Sequence, residues 1–301
     1  MHRLGPASGW IAVTLSTTLA CLWAFWGIIE NFHEGWYHES LPRNLLLMFG
    51  QYLSPMLFFI GLATASVHRP RLGAALHAGV GVLALWWFFP LWRAPVTMIT
   101  LPMLLMGVLY GVGRVHSRRL ADGLIVGLPL LVLIACGIAP TIRVAGRIDD
   151  GDRGRRLIEG NEVELEWAPE GPGWPSDGVS WDEAVRRCQH LSEDGARLRE
   201  VPQDIWRLPT VDEAVRSMAR HGKNCGGSWD DRNARARYRV TPDKESPLWD
   251  VHSKVIYWWT ATQVDDRTAY MIVYDGKVWR RPKRIRPGYL GFRAVKGMRG
   301  D

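Results

Sequence analysis

Charge is spread along this chain so unevenly that its two halves cannot share one solvent. Residues 1–146 carry nine basic and four acidic side chains, whereas residues 147–301 carry 28 basic and 26 acidic ones. A soluble domain has about a quarter of its residues charged. The first half falls far short of that and the second exceeds it, which excludes a wholly soluble enzyme and a disordered tail alike. The net charge of +7 divides as +5 for the apolar half and +2 for the polar half. Basicity therefore belongs mainly to the apolar part, no nucleic-acid motif accompanies it, and nucleic acid is not expected as a partner.

A membrane crossing takes about 20 mostly apolar residues, because lipid offers backbone groups no partner outside the helix. Five stretches meet that description, running from Trp10 to Ile29, Leu45 to Val67, Leu72 to Trp92, Val96 to Val112 and Leu120 to Val144. The first follows a short basic start and has no small-residue cleavage site, so it reads as a retained span. Arginines retained on the cytoplasmic side set the orientation. Arg3, Arg69, Arg71, Arg114, Arg118 and Arg119 fall on one face, and only Arg43 and Arg93 on the other, beside Glu30, Glu34 and Glu39. The expectation is an N-terminus inside, a five-helix transmembrane domain over 1–146 in contact with membrane lipid, and a polar domain over 147–301 outside the cytoplasm. Trp26, Trp36, Tyr37, Trp86, Trp87 and Trp92 would then gather at the outer interface.

Gly107 and Gly111 form a GxxxG pair, and Gly73, Ala74, Ala78 and Gly81 are small too, a pattern that permits close helix approach. His77 is the one ionisable side chain deep in a span and has no partner at matching depth, so a packing role is favoured over an ion path. The loop string HEGWYH, His33 to His38, is one residue too long for HExxH, whose histidines must face one metal from adjacent helical turns.

In the polar half, Ser180 with Glu183 and Thr210 with Glu213 have capping-box spacing, each opening a short helix. The first helix carries Ala184, Val185, Cys188 and Leu191 on one face, and the second Ala214, Val215 and Met218. Lys254 to Thr260 and Thr268 to Tyr274 read as strands, and Asp275-Gly276 is a tight-turn signal leading into Lys277 to Arg281. Strands at Val163 to Trp167 and Tyr289 to Val295 bracket the domain, implying an α+β fold whose first and last strands meet.

Four strings in this half, GVSWDEAVRRCQHL (Gly178 to Leu191), WRLPTVDEA (Trp206 to Ala214), YWWTAT (Tyr257 to Thr262) and GFRAV (Gly291 to Val295), stand in the order found in sulfatase-modifying-factor, or formylglycine-generating-enzyme-like, domains. The resemblance spans roughly residues 155–298 and implies a C-type-lectin-like fold held by buried tryptophan; nine of the chain's 16 Trp fall there. WRLPT followed by WWTAT and a DG hairpin is also similar to the C-terminal domain of bacterial collagen-like adhesins, which are binding proteins. The enzymes of the family hold copper with a late cysteine pair, and this chain has no cysteine after Cys225. CGGSW (Cys225 to Trp229) resembles the family's RGGSW but precedes YWWTAT instead of following it, so no role is carried over. The iron-binding helical domain of the ergothioneine-forming branch is absent as well.

Cys21 and Cys136 lie in expected spans and behave as small apolar side chains. Cys188 and Cys225 lie in the polar half, where a structural disulfide is the first reading, free thiols the second, and a metal or redox pair, with His190 or His221 nearby, the third. The basic runs Arg280 to Arg286 and Arg232 to Arg239 suit sulfate, phosphate or lipid headgroups, against the plain alternative of a solvated hairpin edge. The resulting expectation is a bacterial cytoplasmic-membrane protein whose outer domain recognises a protein partner or envelope glycan without catalysis, metal or cofactor. Its contact surface would comprise the loop at Gly226 with Trp229, Trp249, Arg280, Arg281, Lys283, Arg284 and Arg286. A divergent formylglycine-generating oxidase and a structural subunit of a membrane complex are the alternatives.

Overall fold

A computed structural model describes residues 4–87 and 99–297. Contacts divide the chain into two units, Met1–Trp36 with Ser40–Ile142, and Tyr37–Glu39 with Arg143–Asp301. The regular elements among the first unit's described residues are all helical. They comprise α1 (Leu4–Glu30), a π-turn at Asn31–Gly35, α2 (Leu41–Leu47), a second π-turn at Met48–Tyr52, α3 (Ser54–His68), α4 (Pro70–Trp87), α5 (Leu101–Val112) and α6 (Arg118–Ala145).

Two of these helices, spanning Pro6–Gly35 and Arg118–Ala145, are individually long and apolar enough to cross a membrane, or three if the bent pair α2–α3 counts as one. That corrects the expectation of five. The second stretch breaks at Leu53, where Leu41–Tyr52 and Ser54–His68 meet at 59°, and Pro55 sits in the first turn of α3. α4 has 18 residues, about 27 Å of helix, but Arg71, His77 and three glycines dilute it. α5 is described over 12 residues, and the third and fourth expected stretches run partly through 88–98, which lie outside the described residues. Trp92, Arg93 and Arg3 lie outside the described residues. Apolar side chains along α6, including Leu131, Ile134, Ile138 and Ile142, face outward, as a lipid-facing helix requires.

Inside this unit Gly107 and Gly111 of α5 lie against Ala74, His77 and Ala78 of α4, and a Cβ on Gly107 would come within 3.2 Å of the Ala74 carbonyl. The small residues therefore serve helix packing. His77 is buried, with Nδ1 2.9 Å from the Gly73 carbonyl and its ring beside Tyr110. Among the described residues no group of three His, Cys, Asp or Glu is arranged to hold a metal, and HEGWYH is no exception.

Among its described residues the second unit contains α7 (Trp181–Gln189), α8 (Val211–Ser217) and eleven short strands. β1 (Arg156–Gly160), β2 (Val163–Trp167) and β11 (Val295–Gly297) form an antiparallel sheet in that order, so the expected meeting with the last strand is made by β2, and β1 lies on its other side. A four-stranded sheet has the order β10 (Leu290–Gly291), β7 (Tyr257–Asp265), β8 (Thr268–Val273), β9 (Val278–Pro282), with β10 parallel to β7. Hairpins β3–β4 (Ala219–Arg220, Lys223–Asn224) and β5–β6 (Ser228–Asp230, Arg235–Arg237) complete it.

Thr210 and Glu213 form a complete reciprocal cap on α8. On α7 the Ser180 hydroxyl accepts the Glu183 amide, but the Glu183 carboxylate is taken by Arg186 and Arg187, so only half of the expected box forms. The two-residue period of a strand decides how the core divides. Trp258 of β7 enters one cluster with Trp167, Trp174 and Trp249; its neighbour Trp259 enters another with Trp206, Cys188 and Phe292. The central sheet is thus covered on both faces. Trp249 stacks on Trp258 with centroids 3.7 Å apart and planes 11° apart.

Candidate binding surface

β8 alternates between the two faces of its sheet, and Tyr270 lies directly opposite Arg280 of β9. The Arg280 guanidinium stands 5.5 Å from the Tyr270 ring centre. Trp229, on β5, meets the same tyrosine edge-on at 5.4 Å, and its indole N–H donates to the Asp231 carboxylate. Tyr270 thereby joins two of the expected surface residues that lie far apart in sequence. The β5–β6 hairpin is fixed a second time where the Tyr238 hydroxyl donates to the Gly276 carbonyl at 3.1 Å. Gly276 has φ +84°, and a Cβ there would fall 2.4 Å from the Tyr238 ring. Turn and hairpin are locked together by a residue that only glycine can supply.

A groove of about 580 Å³ runs beside these strands, lined among others by Arg235, Arg237, Tyr238, Lys277 and Trp279. Trp279 is 49% exposed. The one carboxylate among its lining residues, Asp275, is 2.8 Å from Lys277 Nζ. Arg153, Arg155, Arg156, Arg186, Arg187, Arg207 and Arg216 each have a carboxylate within 3.2 Å. By contrast, among the described residues Arg232, Arg235, Arg280, Arg281 and Arg284 have no ion-paired carboxylate. Arg237 feels Asp230 electrostatically, although that carboxylate is already bonded by the Asn233 side chain at 2.8 Å.

The remaining expected contacts separate. Trp249 is 3% exposed and belongs to the core, where it stacks on Trp258, which corrects its assignment to the surface. Lys283 is also buried. Its ammonium lies 4.6 Å from the Trp181 ring centre and donates to the Gln263 side chain and the Asp266 carbonyl. Arg284 lines a separate depression of about 670 Å³ with Asp182, Asp266 and Arg267. Arg286 Nε donates to the Gly178 carbonyl at 3.2 Å, and Gly226, at φ +63°, lies against Arg239. Arg281 stands exposed on β9. Tyr238, Tyr270, Lys277 and Trp279 went unmarked in the sequence reading; the DG turn was the signal that brings 277–279 back toward 268–274.

Cys188 and Cys225 are free thiols, each 1% exposed, and the expected disulfide is not formed. The residues fall in different clusters, Cys188 beside Leu191 and Trp259, Cys225 beside Met218 and Val215. Burial raises the Cys188 thiol well above its ordinary value and pushes Cys225 up to about 11, with Arg220 opposing the shift. A soft metal such as copper needs paired accessible thiolates, and these two residues do not fit it.

No family model, curated protein or solved structure matches this chain.

Proposed function

We propose that this is a membrane-anchored recognition protein whose second unit is a non-catalytic, formylglycine-generating-enzyme-like domain of C-type-lectin-like fold, held outside the cytoplasm. The observation that carries the binding reading is that the arginines of the β5–β6 hairpin and β9 lie near one another without ion-paired carboxylates, whereas Arg153, Arg155, Arg156, Arg186, Arg187, Arg207 and Arg216 are paired. Leaving such groups unpaired at one place is what a surface awaiting an anionic partner requires, since forked guanidinium contacts to carboxylate or phosphate are among the stronger polar contacts available. The inaccessible thiols weigh against the oxidase alternative.

The outward orientation rests on the arginine asymmetry of the helical half. Protease added to intact spheroplasts is expected to digest residues 147–301, and the purified protein supplied with Cu(I) is expected to leave a cysteine-containing sulfatase peptide unchanged. Protection until lysis would overturn the orientation; copper-dependent turnover would overturn the binding reading.

A further inference from the structure

We propose that the edge of β9 and the adjoining groove bind an extended, acidic segment of a partner protein by strand addition. The inference deepens the binding reading above and rests on it. β9 ends its sheet, with β8 on one side and no strand on the other among the described residues. An open edge is a template for another strand, and proteins ordinarily block it with charge, as the run VWRRP of β9 does. Two copies of this edge would bring Arg280 and Arg281 against their own kind, so self-pairing is disfavoured. The same cations favour a strand that carries carboxylates.

The groove supplies a second row of charge. Arg235 and Arg237 are two residues apart on β6, hence on one face of that strand and about 6.8 Å apart along it. Carboxylates on alternate residues of an extended peptide have that same spacing. A compact anion would engage one guanidinium at a time, and a duplex would need a longer basic track. The hairpin is held in place by the Trp229–Tyr270 and Tyr238–Gly276 contacts, so little ordering remains to oppose binding at its own surface. Strand addition takes its affinity from main-chain bonds and its selectivity from side chains on alternate positions. Pro282, without an N–H, closes the edge and limits pairing to Val278–Arg281.

The test uses the full chain in detergent micelles and a fluorescein-labelled peptide of alternating glutamate and valine, read by fluorescence anisotropy. Binding is expected to weaken with rising salt. It should fall about tenfold or more, about 1.4 kcal/mol, in R235Q/R237Q and again in R281Q, and stay unchanged in R186Q/R187Q on α7. A peptide N-methylated at alternate residues should lose binding with its charge intact. Equal binding of the N-methylated peptide would overturn strand addition. A heparin hexasaccharide or a short DNA duplex binding as tightly as the peptide would overturn the choice of partner. Absence of any binding, with the orientation and copper results as expected, would overturn this inference alone, because peptide binding in micelles is independent of membrane side.

Discussion

Replacing Arg293 with methionine tests whether the second unit is organised around one buried cation. Arg293 is fully buried. Its Nε donates to the Ala168 carbonyl at 2.8 Å, Nη1 to Leu248 at 2.6 Å and Pro247 at 3.1 Å, and Nη2 to Gly154 at 3.3 Å. The guanidinium lies 3.8 Å from the Trp174 ring centre. Burial first, and then Arg156 and Arg153, lower it from the ordinary guanidinium value to about 9, so it remains a cation at neutral pH. Methionine keeps much of the volume and removes every donor. The Ala168, Pro247 and Leu248 carbonyls lose their partner at about 1 kcal/mol each or more, and the cation–π contact loses about 2 kcal/mol. Relief of the cation's desolvation offsets part of this. A net loss of about 3 kcal/mol lowers Tm by about 6–12 °C for a unit of this size. Lysine, with one compact ammonium, cannot reach carbonyls on three separate segments and should recover less than half of the loss. Thermal unfolding of the full chain in detergent, followed by tryptophan fluorescence, reads both variants. A methionine variant melting within about 2 °C of the parent would show that the guanidinium is not what joins residues 154, 168 and 247–248.

Lys244 is fully buried, and desolvation, helped by the Arg147 cation, lowers it from 10.5 to about 7. The unfolded chain then binds more protons than the folded one between pH 7 and 10.5, so stability should rise with pH across that window; in Lys244→Met the rise should vanish, as Tm measured from pH 7 to 9.5 will report. Neither Cys188 nor Cys225 should react with maleimide in the folded protein, and dithiothreitol should leave Tm unchanged; a drop under reduction would mean that a bridge forms after all. Gly276→Ala, at positive φ and against Tyr238, should cost about 1–3 kcal/mol and loosen the hairpin, detectable as faster hydrogen exchange in residues 228–238.

Where the chain could be read in advance, one local rule sufficed. β2 falls on Val163–Trp167 as the alternation of valine, leucine and tryptophan predicts, and the Asp275-Gly276 turn joins β8 to β9 within a residue of expectation. The complete cap at Thr210 is of the same kind, since its partners lie three residues apart. Ser180 has that spacing too, yet the Glu183 carboxylate goes to Arg186 and Arg187, whereas Glu213, although held by Arg207, still accepts the Thr210 amide. Spacing fixes which groups can meet, but not which of them do.

The membrane half was misread because hydropathy counts residues and ignores how the helix axis runs. From Leu45 to Val67 the run is mostly apolar, but the axis turns by 59° at Leu53, where Gly50, Gln51, Ser54 and Pro55 interrupt it in the sequence. Trp249 shows the same blindness in the polar half. Its neighbours Asp250, His252 and Ser253 describe a wet loop, and nothing local announces that its ring stacks on Trp258. The arginines obey a different logic. Arg235 and Arg281 look no different in sequence from Arg186 or Arg216, and only the fold reveals that the latter are ion-paired while the former are not, even though Asp230 stands opposite Arg235. A binding surface of this kind is defined by what its charges lack. That property depends on every neighbour in three dimensions, which is why the basic runs could be marked in the sequence but only the fold could separate solvated edge from open site.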